Sequence, residues 1–205
     1  MRLNPSDLEA PRTPSELREF VERVRADVRA NRDEFALGMT KRGLYKEFLD
    51  EVLALCDFAE AEYPPDHTVR LVLGNQGYDA LVYDLNVNEV DRLEFARPHD
   101  GQFTSESAKR VVAVGVGLMQ APDHDDPLGS LYPSIDRTAQ SKSQKDYGGV
   151  TVVFSLPVPP PLASIAKHFN RQVEEIRALI ARNRFKAKRV VLFVPPGRVI
   201  TVQDL

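Results

Sequence analysis

Between residues 62 and 68 the spacing of apolar residues changes from that of a helix to that of a strand, and this change decides the class of fold. Before it, Leu17, Phe20, Val21, Val24 and Val28 recur at helical intervals, and so do Leu44, Phe48, Val52, Leu55, Cys56 and Ala59. Tyr63-Pro64-Pro65-Asp66 closes the second run. After it, segments 68–73, 78–84 and 89–95 alternate apolar with polar residues and predict three strands. Leu85-Asn86-Val87-Asn88 has hairpin length and turn-prone asparagines, so the second and third strands should pair antiparallel. Gly74-Asn75-Gln76-Gly77 links the first strand to the second.

The flanks extend this pattern. Residues 1–12 read as loosely ordered. Thr13, Pro14 and Glu16 then form a helix start, with a capping side chain, a first-turn proline and the acid of a capping box. That helix should run to about residue 34, ending before Gly38 and Thr40, and the second should cover 41–62. Segment 98–128 reads as an insertion, since a connection of this length is rare in a compact domain. Within it, 104–110 could start a helix, 111–119 could be helix or strand, and 121–129 is an acidic loop.

A helix is expected from 131 to about 147, with Ile135 and Ala139 inward, Lys142 and Lys145 outward, and Gly148-Gly149 as its stop. A buried strand at 150–156, a proline turn at 157–161 and an amphipathic helix at 162–183 follow. That helix carries Ile165, Phe169, Val173, Ile176 and Ile180 on one stripe, and strands at 189–194 and 198–202 close the chain. The division is an N-terminal helical extension, 1–40, and an α/β domain, 41–205.

Bulk properties narrow the function. At 205 residues, 42% hydrophobic and 28% charged, the chain can bury a core without disulfides or metals. Its one cysteine, Cys56, excludes an internal disulfide, fits a reducing compartment and reads as a packing residue. No run of 18 apolar residues occurs and the N-terminus lacks a signal-peptide core, so a cytoplasmic location without a membrane partner is expected.

A net charge of −3 means that any nucleic-acid surface must be local. The candidate is Arg177, Arg182, Arg184, Lys186, Lys188 and Arg189, which either complement a helix C-terminus or contact phosphates. No P-loop, dinucleotide fingerprint, nucleophile elbow or zinc spacing is present. Asp123-His124-Asp125-Asp126 lacks the ligand pattern of a calcium loop and reads as a flexible acidic loop.

The chemistry-bearing residues lie on the predicted hairpin. Asp79 and Glu94 sit on neighbouring strands, where both carboxylates could meet one divalent cation. Asp79 also reads as a plain turn residue, because Gly-Tyr-Asp follows a loop. Glu94 lies among apolar neighbours, where an unpaired carboxylate would be costly to bury.

The element order, with Tyr78-Asp79-Ala80, Leu93-Glu94-Phe95-Ala96 and the Ala139–Val150 junction, resembles the PD-(D/E)xK, or restriction-endonuclease-like, superfamily. The resemblance spans about residues 41–156, extending towards 195. It implies an α/β fold with a mixed central sheet flanked by helices. The core would be αβββαβ, with an extra N-terminal helix and a C-terminal helix-strand extension.

The resemblance also implies one or two Mg²⁺ ions on Asp79 and Glu94, with the Phe95 carbonyl as a further ligand. Glu47 on the preceding helix would be the outer partner, with Glu51 one turn behind. The family's lysine falls at position 96, which here is alanine. Three readings follow: Lys142 or Lys145 takes over the role, Gln76 or His99 substitutes in part, or the site is not catalytic. The implied function is a Mg-dependent nuclease, a hydrolase, or a degenerate nucleic-acid-binding relative of bacterial type. The alternative is a non-enzymatic regulatory protein that uses a nuclease-like scaffold to bind a protein partner.

Overall fold

The structure is a computed structural model that describes residues 3–39, 43–74, 76–98, 110, 128–157 and 166–204. Its centre is a six-stranded mixed sheet in sequence order, β1 (Thr68–Leu71), β2 (Ala80–Tyr83), β3 (Glu89–Ala96), β4 (Asp146–Ser155), β5 (Lys186–Val194) and β6 (Arg198–Asp204). The first three form an antiparallel meander, β3, β4 and β5 run parallel, and β6 returns antiparallel. This is the mixed α/β architecture expected from the period change, with the N-terminal half supplying the antiparallel meander.

Helices cover both faces. On one side lie α1 (Pro5–Glu9), α2 (Pro14–Ala30), α3 (Arg32–Met39), α4 (Leu44–Glu47) and α5 (Leu53–Glu62), with a π-helical turn, Phe48–Val52, joining the last two. On the other lie α6 (Tyr132–Ser143), preceded by a short 3-10 turn, and α7 (Ala166–Ala181). Strand alternation separates two cores. Leu93, Phe95, Val153, Val191 and Phe193 pack with Phe20, Phe48, Leu55 and Phe58, while Ala96, Val152, Phe154, Val190 and Leu192 pack with Ile135, Val173, Ile176 and Ile180. Phe58 centres the first core, edge-on to Tyr63, Phe95 and Phe193 at 5.5–6.0 Å between ring centroids. Cys56 is fully buried there, and burial pushes its thiol up to about 12, which suits packing rather than reactivity.

Several local expectations are revised. The capping box at Thr13 is present, with Glu16 N–H donating to the Thr13 hydroxyl at 3.3 Å and Thr13 N–H to the Glu16 carboxylate at 2.8 Å. The helix ends at Ala30 rather than near 34, because Asn31 turns extended and its side chain accepts from Asp33 and Glu34 N–H to start α3. Residues 3–12 are structured. Asn4 and Asp7 form a second capping box, Leu3 and Leu8 are buried, and Arg12 pairs with Val69 along the outer edge of β1. Arg18 joins α2 to α5 through Asp57 at 2.7 Å and Glu60 at 2.5 Å.

The helix expected at 131–147 stops at Ser143, and Tyr147-Gly148-Gly149 belongs to β4 rather than to a helix end. Strand β4 is consequently longer than the expected 150–156. Apart from Arg110, the expectations for 104–119, for Asp123–Asp126 and for His99 fall outside the described residues.

Candidate functional site

Asp79 lies in a bend immediately before β2, where the ladder with β3 begins. Its N–H donates to Leu93 O at 2.7 Å, and its own carboxylate accepts the Phe95 N–H at 2.7 Å. The side chain thus takes a main-chain donor of β3 that the bend would otherwise leave unmet. Glu94 lies between Leu93, whose carbonyl accepts from Asp79, and Phe95, whose N–H donates to the Asp79 carboxylate, and turns to the second core, the face that holds Ala96 and the α6 packing residues.

The partner of Glu94 comes from α6. Lys142, in its last turn, donates from Nζ to Glu94 Oε1, and the two side chains are only 17% and 11% exposed. Burial alone would lower the lysine's pKa, but the Glu94 contact outweighs it and the net shift is upward, so the ammonium is kept. The Tyr147 hydroxyl, from the first turn of β4, donates to the same Oε1 at 3.3 Å.

Two further acids crowd the same region. Asp79 is pushed up to about 6, first by burial and then by the charge of Glu94, against the pull of the Phe95 N–H, Lys142 and Lys46. Glu51, in the π-helical turn, is pushed up to about 7 by burial and next by Asp79, with Lys46 opposing and Glu47 and Asp50 adding to the rise. Glu47 leads into that turn and has a buried Oε2 that makes no hydrogen bond among the described residues. Single π turns inside helices recur at functional sites.

Of the residues picked from sequence, Asp79, Glu94 and Lys142 are brought together. Glu47 belongs to the neighbouring helix wall, where Glu51 is the acid raised first by burial and then by the charge of Asp79. Lys145 is not part of the cluster. It is exposed beyond the end of α6, with no ion pair to either carboxylate among the described residues. Gln76 is exposed and donates to Leu73 O at 3.1 Å. Ala96 is buried in the second core with Phe154 as its register partner, so a lysine there would have to enter apolar packing. Tyr147 was missed by sequence reasoning because its stretch read as a helix end. The β-bulge that follows it leaves no trace in apolar periodicity.

The donors suit magnesium in type. Mg²⁺ is commonly held by one or two carboxylates, with water and substrate phosphates completing the shell. Asp79 and Glu94 supply that number, and their mutual repulsion is what a dication relieves. Among the described residues no group of three or more His, Cys, Asp or Glu is set to hold a metal ion.

A second polar cluster on the other face is structural. Asp91 accepts from Tyr63 OH at 2.9 Å, Thr151 Oγ1 at 3.0 Å and Lys188 Nζ at 3.2 Å, tying α5 to β3, β4 and β5. Burial, then Asp91, push the Tyr63 phenol upward, so it stays a donor. Three of the six basic residues flagged in the sequence are engaged in ion pairs, Arg177 with Glu174, Lys188 with Asp91 and Arg189 with Glu62. Compared with known proteins, the chain matches no family model, no curated protein and no solved structure. Among the described residues no helix is long and apolar enough to cross a membrane.

Proposed function

We propose that this protein is a Mg-dependent phosphodiesterase acting on nucleic acid, with Asp79 and Glu94 as cation ligands and Lys142 in the role that Ala96 cannot fill. The observation that carries the reading is the Lys142 ammonium held on Glu94 beside Asp79, with the lysine coming from a different element than the strand. A bound Mg²⁺ supplies neutralisation of phosphoryl oxygens and an activated water. Lys142 offers a buried positive charge to the oxygens on which negative charge develops. Glu51, poised at about 7, is the group able to take up a proton near neutral pH. Asp79 is kept in place by the Phe95 N–H.

The test is incubation of the chain with plasmid and with single- and double-stranded oligonucleotides in Mg²⁺ or Mn²⁺, and then with chelator. Cleavage that needs the cation and is lost in Asp79→Ala and Glu94→Ala supports the reading. Lys142→Ala should lower the rate by about two to three orders of magnitude, the cost of one transition-state charge contact. Nucleic acid retained without cleavage would mark a binding relative instead. Neither cutting nor retention by a folded chain would turn the reading to a non-enzymatic protein-interaction role on the same scaffold.

A further inference from the structure

We propose that Tyr147 is a positioning residue, brought to the site by the Gly148-Gly149 bulge, that fixes the Glu94 carboxylate and the Lys142 ammonium in one arrangement. The inference rests on the phosphodiesterase reading for the reaction it names, but its geometry stands separately.

The bulge comes first. In the parallel pairing of β4 with β5, Tyr147 is opposite Ala187 and Thr151 is opposite Arg189, so four steps on one strand match two on the other. Gly149 has φ +76, a conformation that side chains rarely adopt, and nothing lies within 4 Å of where its Cβ would be. The glycine is therefore required by the backbone and not by crowding. Gly148 N–H is tied back to the Asp146 carboxylate at 3.0 Å.

The consequence is a change of face. Residues four apart in a regular strand point to the same side. Here Thr151 turns to Asp91 on the first face, while Tyr147 packs into the second core. Without the bulge, Tyr147 would follow Thr151 away from Lys142.

Once there, Tyr147 touches both members of the ion pair. Its hydroxyl donates to Glu94 Oε1, and the Lys142 Nζ lies 5.6 Å from the centre of its ring, within cation–π range. The ring is 3% exposed, so few alternative positions are open to it. Lys142 and Tyr147 both donate to Oε1, and among the described residues no hydrogen bond is made to Oε2. One oxygen is committed to the protein and the other is left for a cation. Outer partners of metal-binding carboxylates act in this way.

Two variants of the full chain separate the contacts. Tyr147→Phe removes the hydroxyl and keeps the ring, and Tyr147→Leu removes both. Mn²⁺ binding by calorimetry should weaken roughly ten- to a hundredfold in Tyr147→Phe, the usual loss on removing such a partner. On an oligonucleotide substrate kcat should fall with KM little changed. Acetylation of Lys142, scored against exposed Lys145 in the same chain, should stay near wild type in Tyr147→Phe and rise severalfold in Tyr147→Leu. Wild-type Mn²⁺ affinity in Tyr147→Phe, or unchanged Lys142 labelling in Tyr147→Leu, would overturn the proposal. If the wild type binds no Mn²⁺ while Tyr147→Leu still unmasks Lys142, the phosphodiesterase reading fails and the positioning role stands.

Discussion

Lys142 and Glu94 show what a buried charge pair demands. Each is mostly removed from water, so removing one partner leaves the other uncompensated. Lys142→Met should therefore destabilise the fold by roughly 3–5 kcal/mol, measured by urea unfolding. The double change Lys142→Met with Glu94→Gln should recover much of that loss, because no lone charge remains. Acidity acts in the opposite sense to the usual carboxylate. Asp79 and Glu51 have folded values raised to about 6 and about 7, so both hold protons more readily folded than unfolded. Their contribution is fully present below the ordinary carboxylate pKa of roughly 4 and is lost as pH rises through about 6 and then about 7. In chelator, the urea midpoint of the wild type should fall between pH 5 and pH 8, and Glu51→Gln should flatten the upper part of that fall.

Sequence made Asp79 and Glu94 legible because strand alternation and a short hairpin limit where two acids can go. It offered two lysines on the following helix and could not choose between them. The helix ends at Ser143, which keeps Lys142 on the inward-facing last turn and leaves Lys145 beyond it.

At the level of elements, local chemistry was readable where side chains bond their own backbone. Thr13 caps α2 as its sequence indicates, and Thr13→Ala should cost about 1 kcal/mol in thermal or urea unfolding. Breaks were harder. Nothing in apolar spacing marks Asn31 as a stop, because α2 and α3 are separated by one extended residue whose side chain immediately caps the next helix. The π turn at Phe48–Val52 is equally hidden, since its residues continue a helical pattern. The β2–β3 turn carries a different kind of departure. Val87 sits at φ +63 and is 78% exposed, a position where a branched side chain is strained and packs against little. Val87→Asn should stabilise the protein by about 1 kcal/mol, read from the urea midpoint, because asparagine tolerates that region of backbone space.

For the whole molecule, the meander and the two helical layers follow from periodicity, but the parallel pairing of β3, β4 and β5 does not. Parallel neighbours need long crossovers, and neither crossover carries a local signature of the strands it joins. The sheet nevertheless unites material from distant parts of the chain. Asp79 and Glu51 come from the meander and the first helical layer, while Lys142 and Tyr147 come from the second layer.

That division has a consequence for the birth of the protein. Lys142 is separated from Glu94 by 48 positions, and Tyr147 by 53. A chain leaving the ribosome exposes both acids long before the base and the ring that complete the constellation have been translated. Until residues 142 and 147 have been translated, the Glu94 carboxylate has neither of the two side chains that donate to it in the folded protein.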